Sequence, residues 1–458
     1  MHQPLASHGK QVHLPSCSLR EDIVEDLVSE EWKDKLLRSN RKDAQPLRSV
    51  LANAYIALLE CPELVGLLAF DEFNQAVVLT RDPPWTAIDR QWTEHNRLCL
   101  TVAVQRLGLD VQPNAVAEAA LVVARANPVH PVREYLKGLV WDGRERTSAW
   151  LSTYFGAEHS PYVAAVGRKF LISAVARIME PGCKVDTMLI LEGDQGIGKS
   201  TAIKVLAGED WFTDSMPPKL NERDAAIQLR GKFIIEMAEL SVLARANDGD
   251  SKGFLSRAVD DYRPVYGRTA EKVPRQCVFI GTTNSDEYLR DATGARRFWP
   301  VACNKVDLVA LAADRDQLWA EALALYKAGN QWHLTEAEEA LARGEQKQRY
   351  AADPWSQAID EYLVGKHRVT VDDVLSDALD VKRAYIRQSD KLRVSKHLKA
   401  NGWHRGKSDG TRYYTRVGAP DALVIPHSRG EVLSDGFFSN KLDRMLCEVG
   451  VSPSNSVN

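Results

Sequence analysis

The residues best equipped for chemistry are a lysine and a hydroxyl that close a glycine-rich octet. Gly193-Asp194-Gln195-Gly196-Ile197-Gly198-Lys199-Ser200 has the spacing GxxxxGK[ST] and is followed by Thr201. Glycines let consecutive backbone N–H groups turn inward on phosphates, Lys199 reaches the β and γ phosphates as a point charge, and the Ser200 hydroxyl is placed to ligate Mg²⁺. The apolar run 188–191 ahead of the octet reads as a buried strand. The stretch 200–207 behind it reads as a helix whose N-terminus adds partial positive charge. Strand, loop and helix together predict a site for ATP and Mg²⁺, which a glycine turn matching by chance would not need.

Hydrolysis also needs acids on a neighbouring strand, to hold the metal and polarise the attacking water. The apolar residues 233–235 end in Glu236, with Glu239 close behind. Glu236 is the expected metal contact beside Ser200, either acid can activate water, and a solvated carboxylate pair on a helix face is the plainer alternative. The next strand, 277–281, leads into Thr282-Thr283-Asn284. An amide at the carboxyl end of a strand beside the metal strand can hydrogen-bond the γ phosphate or the water, so Asn284 is the sensor candidate; a simple turn residue is the alternative. Further on, Gly294-Ala295-Arg296-Arg297-Phe298-Trp299-Pro300 sets two guanidiniums after a glycine turn. Arg296 or Arg297, donated across a subunit interface, would stabilise charge spreading over the transferred phosphoryl group; structural ion pairs are the alternative.

Taken in order, Glu192 to Thr201, Glu236-Met237-Ala238-Glu239-Leu240, Gly281-Thr282-Thr283-Asn284 and Gly294 to Pro300 resemble the virulence-associated E family, itself similar to the helicase module of superfamily 3 primase-helicases. His130-Pro131-Val132-Arg133 and Trp141-Asp142-Gly143 fit the same pattern, so the resemblance runs over about residues 128–326. It implies an α/β P-loop NTPase core of the AAA+ or superfamily 3 helicase type. It further implies a homo-oligomeric ring, hexameric in the family, that translocates on or melts DNA during replication of a phage-like or other mobile element, with host replication proteins as further partners. No adjacent acidic pair with a nearby His and no cysteine cluster supports a priming centre.

Two segments are candidates for touching DNA. Residues 260–275 lie where related ATPases carry a channel hairpin, and Arg268 and Lys272 are its candidates for pulling on phosphates of a single strand; a role in the nucleotide site or a subunit contact is the alternative. Residues 369–416 have the outline of a winged helix that binds duplex DNA. One helix is expected over 372–379, and a second, capped by Ser389-Asp390, carries Arg393, Lys396 and Lys399. A hairpin about Ser408-Asp409-Gly410 bears Arg405, Lys407 and Arg412. From Lys382 to Arg416 eleven lysines and arginines face two aspartates, which suits phosphate, although such modules also dock proteins.

Length and composition frame these sites. A chain of 458 residues is too long for one core, and its net charge of −3 confines nucleic-acid contact to local basic clusters. Seven scattered cysteines without a C-x-x-C pair indicate neither disulfides nor zinc. No stretch is long and apolar enough for a membrane span and the start lacks a signal-peptide layout, so a cytoplasmic protein is expected. The expected organisation is a polar leader (1–45), a mainly helical N-terminal domain (46–160), the ATPase (161–350), a winged-helix-like domain (351–420) and a tail (421–458). The rival functional reading is a nucleotide-gated DNA-binding switch without processive unwinding.

Overall fold

Trp32, on a 3₁₀ turn at Glu30–Lys35, and Leu36 just after it are buried among the helices that follow, so packed structure begins inside the segment expected as a loose leader. The computed structural model describes residues 30–40, 46–87, 89–217, 223–240, 253–262, 270–285, 287–289, 295–350, 353–408 and 410–416. It divides into two units, 1–352 and 353–458.

In the first unit, α1 (Leu51–Glu60), β1 (Leu68–Asp71), β2 (Ala76–Leu79), α2 (Glu94–Arg106), α3 (Pro113–Arg125) and β3 (Pro128–Val129) enclose one core. Thr93 caps α2 by accepting from the Asn96 amide, and Pro113 opens α3, where its missing N–H costs nothing. The region is not simply helical: β1 pairs antiparallel with β2 and parallel with β3. Its core ends at Ala124, and from Val132 onward side chains pack into the nucleotide-binding core. The interior therefore changes hands near residue 130 rather than 160.

The helices α4 (Pro131–Gly138), α5 (Trp150–Phe155) and α6 (Pro161–Met179) follow. Ser160 caps α6, which is buried almost all round, the mark of a helix inside the core rather than on its surface. Then come β4 (Met188–Glu192), α7 (Lys199–Ala207), β5 (Phe212–Thr213), α8 (Arg223–Gln228), β6 (Ile234–Met237), the hairpin β7 (Val259–Tyr262) and β8 (Glu271–Pro274), β9 (Val278–Thr283), β10 (Phe298–Ala302), α9 (Leu308–Lys327) and α10 (Glu336–Gln348). Five strands form one parallel sheet in the order β10-β4-β9-β6-β5. Strands β4, β6 and β9 are buried at every position, as required where helices cover both faces. The sensor strand β9 lies between the phosphate-loop strand and the acid strand, so the carboxyl ends of all three meet, the usual ligand position of an open parallel sheet.

In the second unit, α11 (Ser356–Leu363), β11 (Arg368–Val369), helical turns over 371–378, α12 (Gln388–Ala400), β12 (Trp403–Ser408) and β13 (Thr411–Arg416) surround a core that includes Ile359, Leu375, Leu398 and Trp403. Its sheet runs β11-β13-β12, and Ser408 pairs with Thr411 across the expected two-residue turn. The start of α12 differs from expectation. Asp390 is not the N-cap: it sits in the first turn and accepts from the Arg387 amide at 2.9 Å, so the helix begins at Gln388. The expected tail, 421–458, lies outside the described residues.

Candidate functional site

The phosphate loop is shaped by glycines that no other residue could replace without strain. Gly193 leaves β4 at φ +143°, and a Cβ there would meet the Cys303 carbonyl oxygen at 2.3 Å; Gly198, at φ +99°, turns the chain into α7. The Gly193 amide donates to the Thr283 carbonyl at 3.2 Å, tying the loop to the sensor strand. Lys199 curls back so that Nζ donates to the carbonyls of Gly193 (2.6 Å) and Asp194 (2.8 Å) and to Asn284 Oδ1 (3.3 Å). Burial pushes its pKa down, against the pull of the carboxylates of Asp194 and Glu236.

Ser200 and Glu236 make the second half of the site. Ser200 Oγ donates to Glu236 Oε1 at 2.6 Å, and Thr282 Oγ1 donates to the same oxygen at 2.7 Å. Glu236 is fully buried, and among the described residues its Oε2 has no hydrogen-bond partner. A buried carboxylate oxygen left unpaired is costly unless something else satisfies it. A serine hydroxyl beside a carboxylate is the hard-oxygen set that suits Mg²⁺, which takes one or two protein ligands and fills the rest of its shell with water and phosphate. No cluster of three or more His, Cys, Asp or Glu occurs among the described residues. The residues present fit the ion.

The loop, Ala238, Thr282, Thr283 and Asn284 line a cleft of about 350 Å³. Asp194, Gln195 and Gly196 are exposed on the loop, Ile197 packs against the core, and Thr201 is exposed on the first turn of α7. Glu239 lies in the turn Ala238–Leu240 directly after β6, and its side chain is outside the described residues.

The two arginines occupy different positions from the rest. They end a turn, Ala295–Arg297, that enters β10 where Phe298 pairs with Met188, at the opposite end of β4 from the loop. Five strand residues, about 16 Å, separate them from their own phosphate loop. Arg297 is only 15% exposed; its Nε donates to Ser256 Oγ at 3.2 Å and lies 3.8 Å from Asp186. Arg296 is exposed, with no hydrogen bond or ion pair among the described residues.

Of the channel candidates, Arg268 lies outside the described residues. Lys272 is exposed on β8 opposite Asp261, in a hairpin whose base is held by the buried pair Arg275–Asp260 at 2.6 Å. In the second unit Lys396 and Lys399 are exposed on α12, and Arg405, Lys407 and Arg412 are exposed on the hairpin, with Lys407 directly opposite Arg412. Like charges facing across a ladder destabilise it and are relieved by an anion. Arg393 departs from expectation. Its guanidinium is bidentate to Asp353 at 2.6 and 2.5 Å and stacks over Trp355 at 4.0 Å, so it is engaged in the unit's own structure.

Sequence reasoning missed Thr282 as the second donor to Glu236, although it stands on β9 only two residues before the sensor that follows the strand's end. It also missed Tyr288 and Arg349, which hold Glu192 across 96 and 157 residues and leave no local signature.

Strand order, phosphate loop and buried acid define an α/β fold of the P-loop NTPase kind. Residues 136–351 match the model of the virulence-associated protein E-like domain. Among solved structures it is similar to the A-form apo structure of the NrS-1 C-terminal region (305–718), with 11% identity over 81% of this chain and 100% of that one and a TM-score of 0.44. A second apo A-form structure of that region gives 12% identity over 77% and 96%, with a TM-score of 0.40. A point mutant of RuvB from Thermotoga maritima gives 15% identity over 55% and 91%, with a TM-score of 0.21. The comparison with curated proteins found no match. No helix among the described residues is long and apolar enough to cross a membrane.

Proposed function

We propose that this chain is a Mg²⁺-dependent ATPase that works as a ring on DNA, a helicase or replication initiator of a phage-like or other mobile element. The observation that carries the reading is the pairing of Ser200 with a buried Glu236 whose second oxygen is unsatisfied, beside a phosphate loop with its lysine in place. The loop amides and Lys199 bind the phosphates, releasing the lysine from its own carbonyls. Ser200 and Glu236 would hold Mg²⁺, which when bound neutralises charge on the phosphate oxygens. Asn284 orients the γ phosphate or the water, and Glu239, the acid just beyond the same strand as Glu236, takes the water's proton. Arg296 acts on the neighbouring subunit's site, because its own is out of reach. The second unit, read as a winged helix, lays Lys396 and Lys399 of α12 and the hairpin cations on duplex phosphates.

The test is DNA-stimulated ATP hydrolysis with displacement of a labelled strand from a forked duplex, beside Lys199→Ala, Arg296→Ala and Arg297→Ala. Stimulated hydrolysis and displacement are expected, both absent in Lys199→Ala. Arg296→Ala should keep nucleotide binding and lose turnover by about 10³-fold, in line with trans arginines elsewhere. Arg297→Ala should chiefly lower the melting temperature. Normal turnover in Arg296→Ala would sink the trans role. Hydrolysis without displacement would leave the nucleotide-gated switch.

A further inference from the structure

Glu192 ends β4 directly before the phosphate loop, is 5% exposed, and does not line the cleft. Its carboxylate is nonetheless tightly held. Arg349, at the end of α10, donates from Nε at 2.9 Å and from its second terminal nitrogen at 2.9 Å, while Tyr288 Oη donates at 2.6 Å. The remaining nitrogen of Arg349 donates to the Glu345 carbonyl at 3.0 Å and to its carboxylate, so the guanidinium is engaged on every side. Tyr288 belongs to the segment that follows Asn284. The amides of Tyr288 and Leu289 both donate to the Arg349 carbonyl, at 3.2 and 3.0 Å, and Leu289 bridges to Tyr350. The two loops on either side of the cleft, one leaving β4 and one leaving β9, are thus fastened to each other through a residue that belongs to neither.

We propose that Glu192, Tyr288 and Arg349 form a latch that fixes Asn284 relative to the phosphate loop and thereby sets the rate of turnover rather than nucleotide affinity. The inference rests on the hydrolytic reading above. Affinity comes from the loop and Lys199, all on the β4 side, whereas contact of Asn284 with the γ phosphate depends on where the β9 side is held. A displacement of about 1 Å at such a contact can cost on the order of 10²-fold in rate. Tyr288 and Arg349 are positioning residues: neither lines the cleft.

The full chain is compared with Tyr288→Phe, Arg349→Lys, Arg349→Ala and Lys199→Ala in kcat, Kd for a fluorescent ATP analogue, and melting temperature. Tyr288→Phe, which keeps the ring and loses one hydrogen bond, is expected to lower kcat about tenfold while Kd stays within about threefold and the melting temperature barely moves. Arg349→Lys should recover part of what Arg349→Ala loses. Wild-type kcat in Tyr288→Phe, or a rise in Kd that accounts for the whole loss, would overturn the latch. If the wild-type chain hydrolyses no faster than Lys199→Ala, the ATPase reading fails by itself, and amide exchange at Tyr288 and Leu289 decides the latch. Slowing by a bound non-hydrolysable analogue in wild type but not in Tyr288→Phe supports it, and equal behaviour rejects it.

Discussion

Gly193 has the least freedom of any residue in the site, because its backbone angle and its contact with the Cys303 carbonyl both exclude a side chain. Gly193→Ala is expected to cost at least the roughly 1–3 kcal/mol of a strained backbone, and more as Cys303 is pushed aside. A thermal melt should show a drop of several degrees together with weaker ATP-analogue binding; an unchanged melt would mean that the loop relaxes freely. At this scale the meeting of the phosphate loop with Glu236 and Asn284 was legible because each is marked by local spacing at the end of an apolar strand. Arg297 and Arg393 were not. A sequence displays a guanidinium's charge but not its partner, and Asp186 and Asp353 meet these two only once the chain has folded.

The second unit's α12 owes its placement to the Asp353–Arg393 pair and to Trp355 beneath the guanidinium. Burial raises the Asp353 carboxyl pKa, but the hydrogen bonds from Arg393 outweigh it, and the result lies below the ordinary 3.8. A carboxylate depressed in the folded state stabilises fully above its unfolded pKa and loses that contribution as pH falls through the folded value. Asp353→Asn should therefore melt below wild type at about pH 6, and the gap should narrow as the pH drops under about 4. A gap independent of pH would assign the loss to packing. The buried strands of the large sheet were readable as short apolar runs ending in polar residues. Strand β1 was not, because residues 64–70 are apolar throughout and carry neither period. The cap of α12 was misplaced because Ser389 and Asp390 fit an N-cap by type, and only geometry shows Asp390 working from the first turn.

Across the whole molecule, an overall charge of −3 coexists with a second unit whose hairpin and α12 carry exposed cations, so DNA affinity should be local and steeply salt-dependent. Arg405→Ala is expected to weaken duplex binding evenly across sequences and to reduce the slope of log affinity against log salt by about one, read by fluorescence anisotropy. Arg393→Ala should leave that slope unchanged wherever the unit stays folded. An unaltered slope in Arg405→Ala would move the contact off the hairpin. The division at residue 353 was foreshadowed by Asp353-Pro354-Trp355, whereas the change of core near residue 130 was hidden, since Pro128 and Pro131 punctuate the chain without revealing which interior each side joins. In the large sheet, the hairpin β7–β8 feeds through Arg275, Gln276 and Cys277 straight into β9, and β9 ends at Thr283, directly before Asn284. Six residues of strand, about 20 Å, thus join the phosphate end to the hairpin end, clamped by a neighbour on each side in an interior of low compressibility. Such a strand has little room to yield along its length, so a shift imposed at its phosphate end would be expected to reach the root of the hairpin, and hydrogen exchange in β8 with and without a bound ATP analogue would show whether it does.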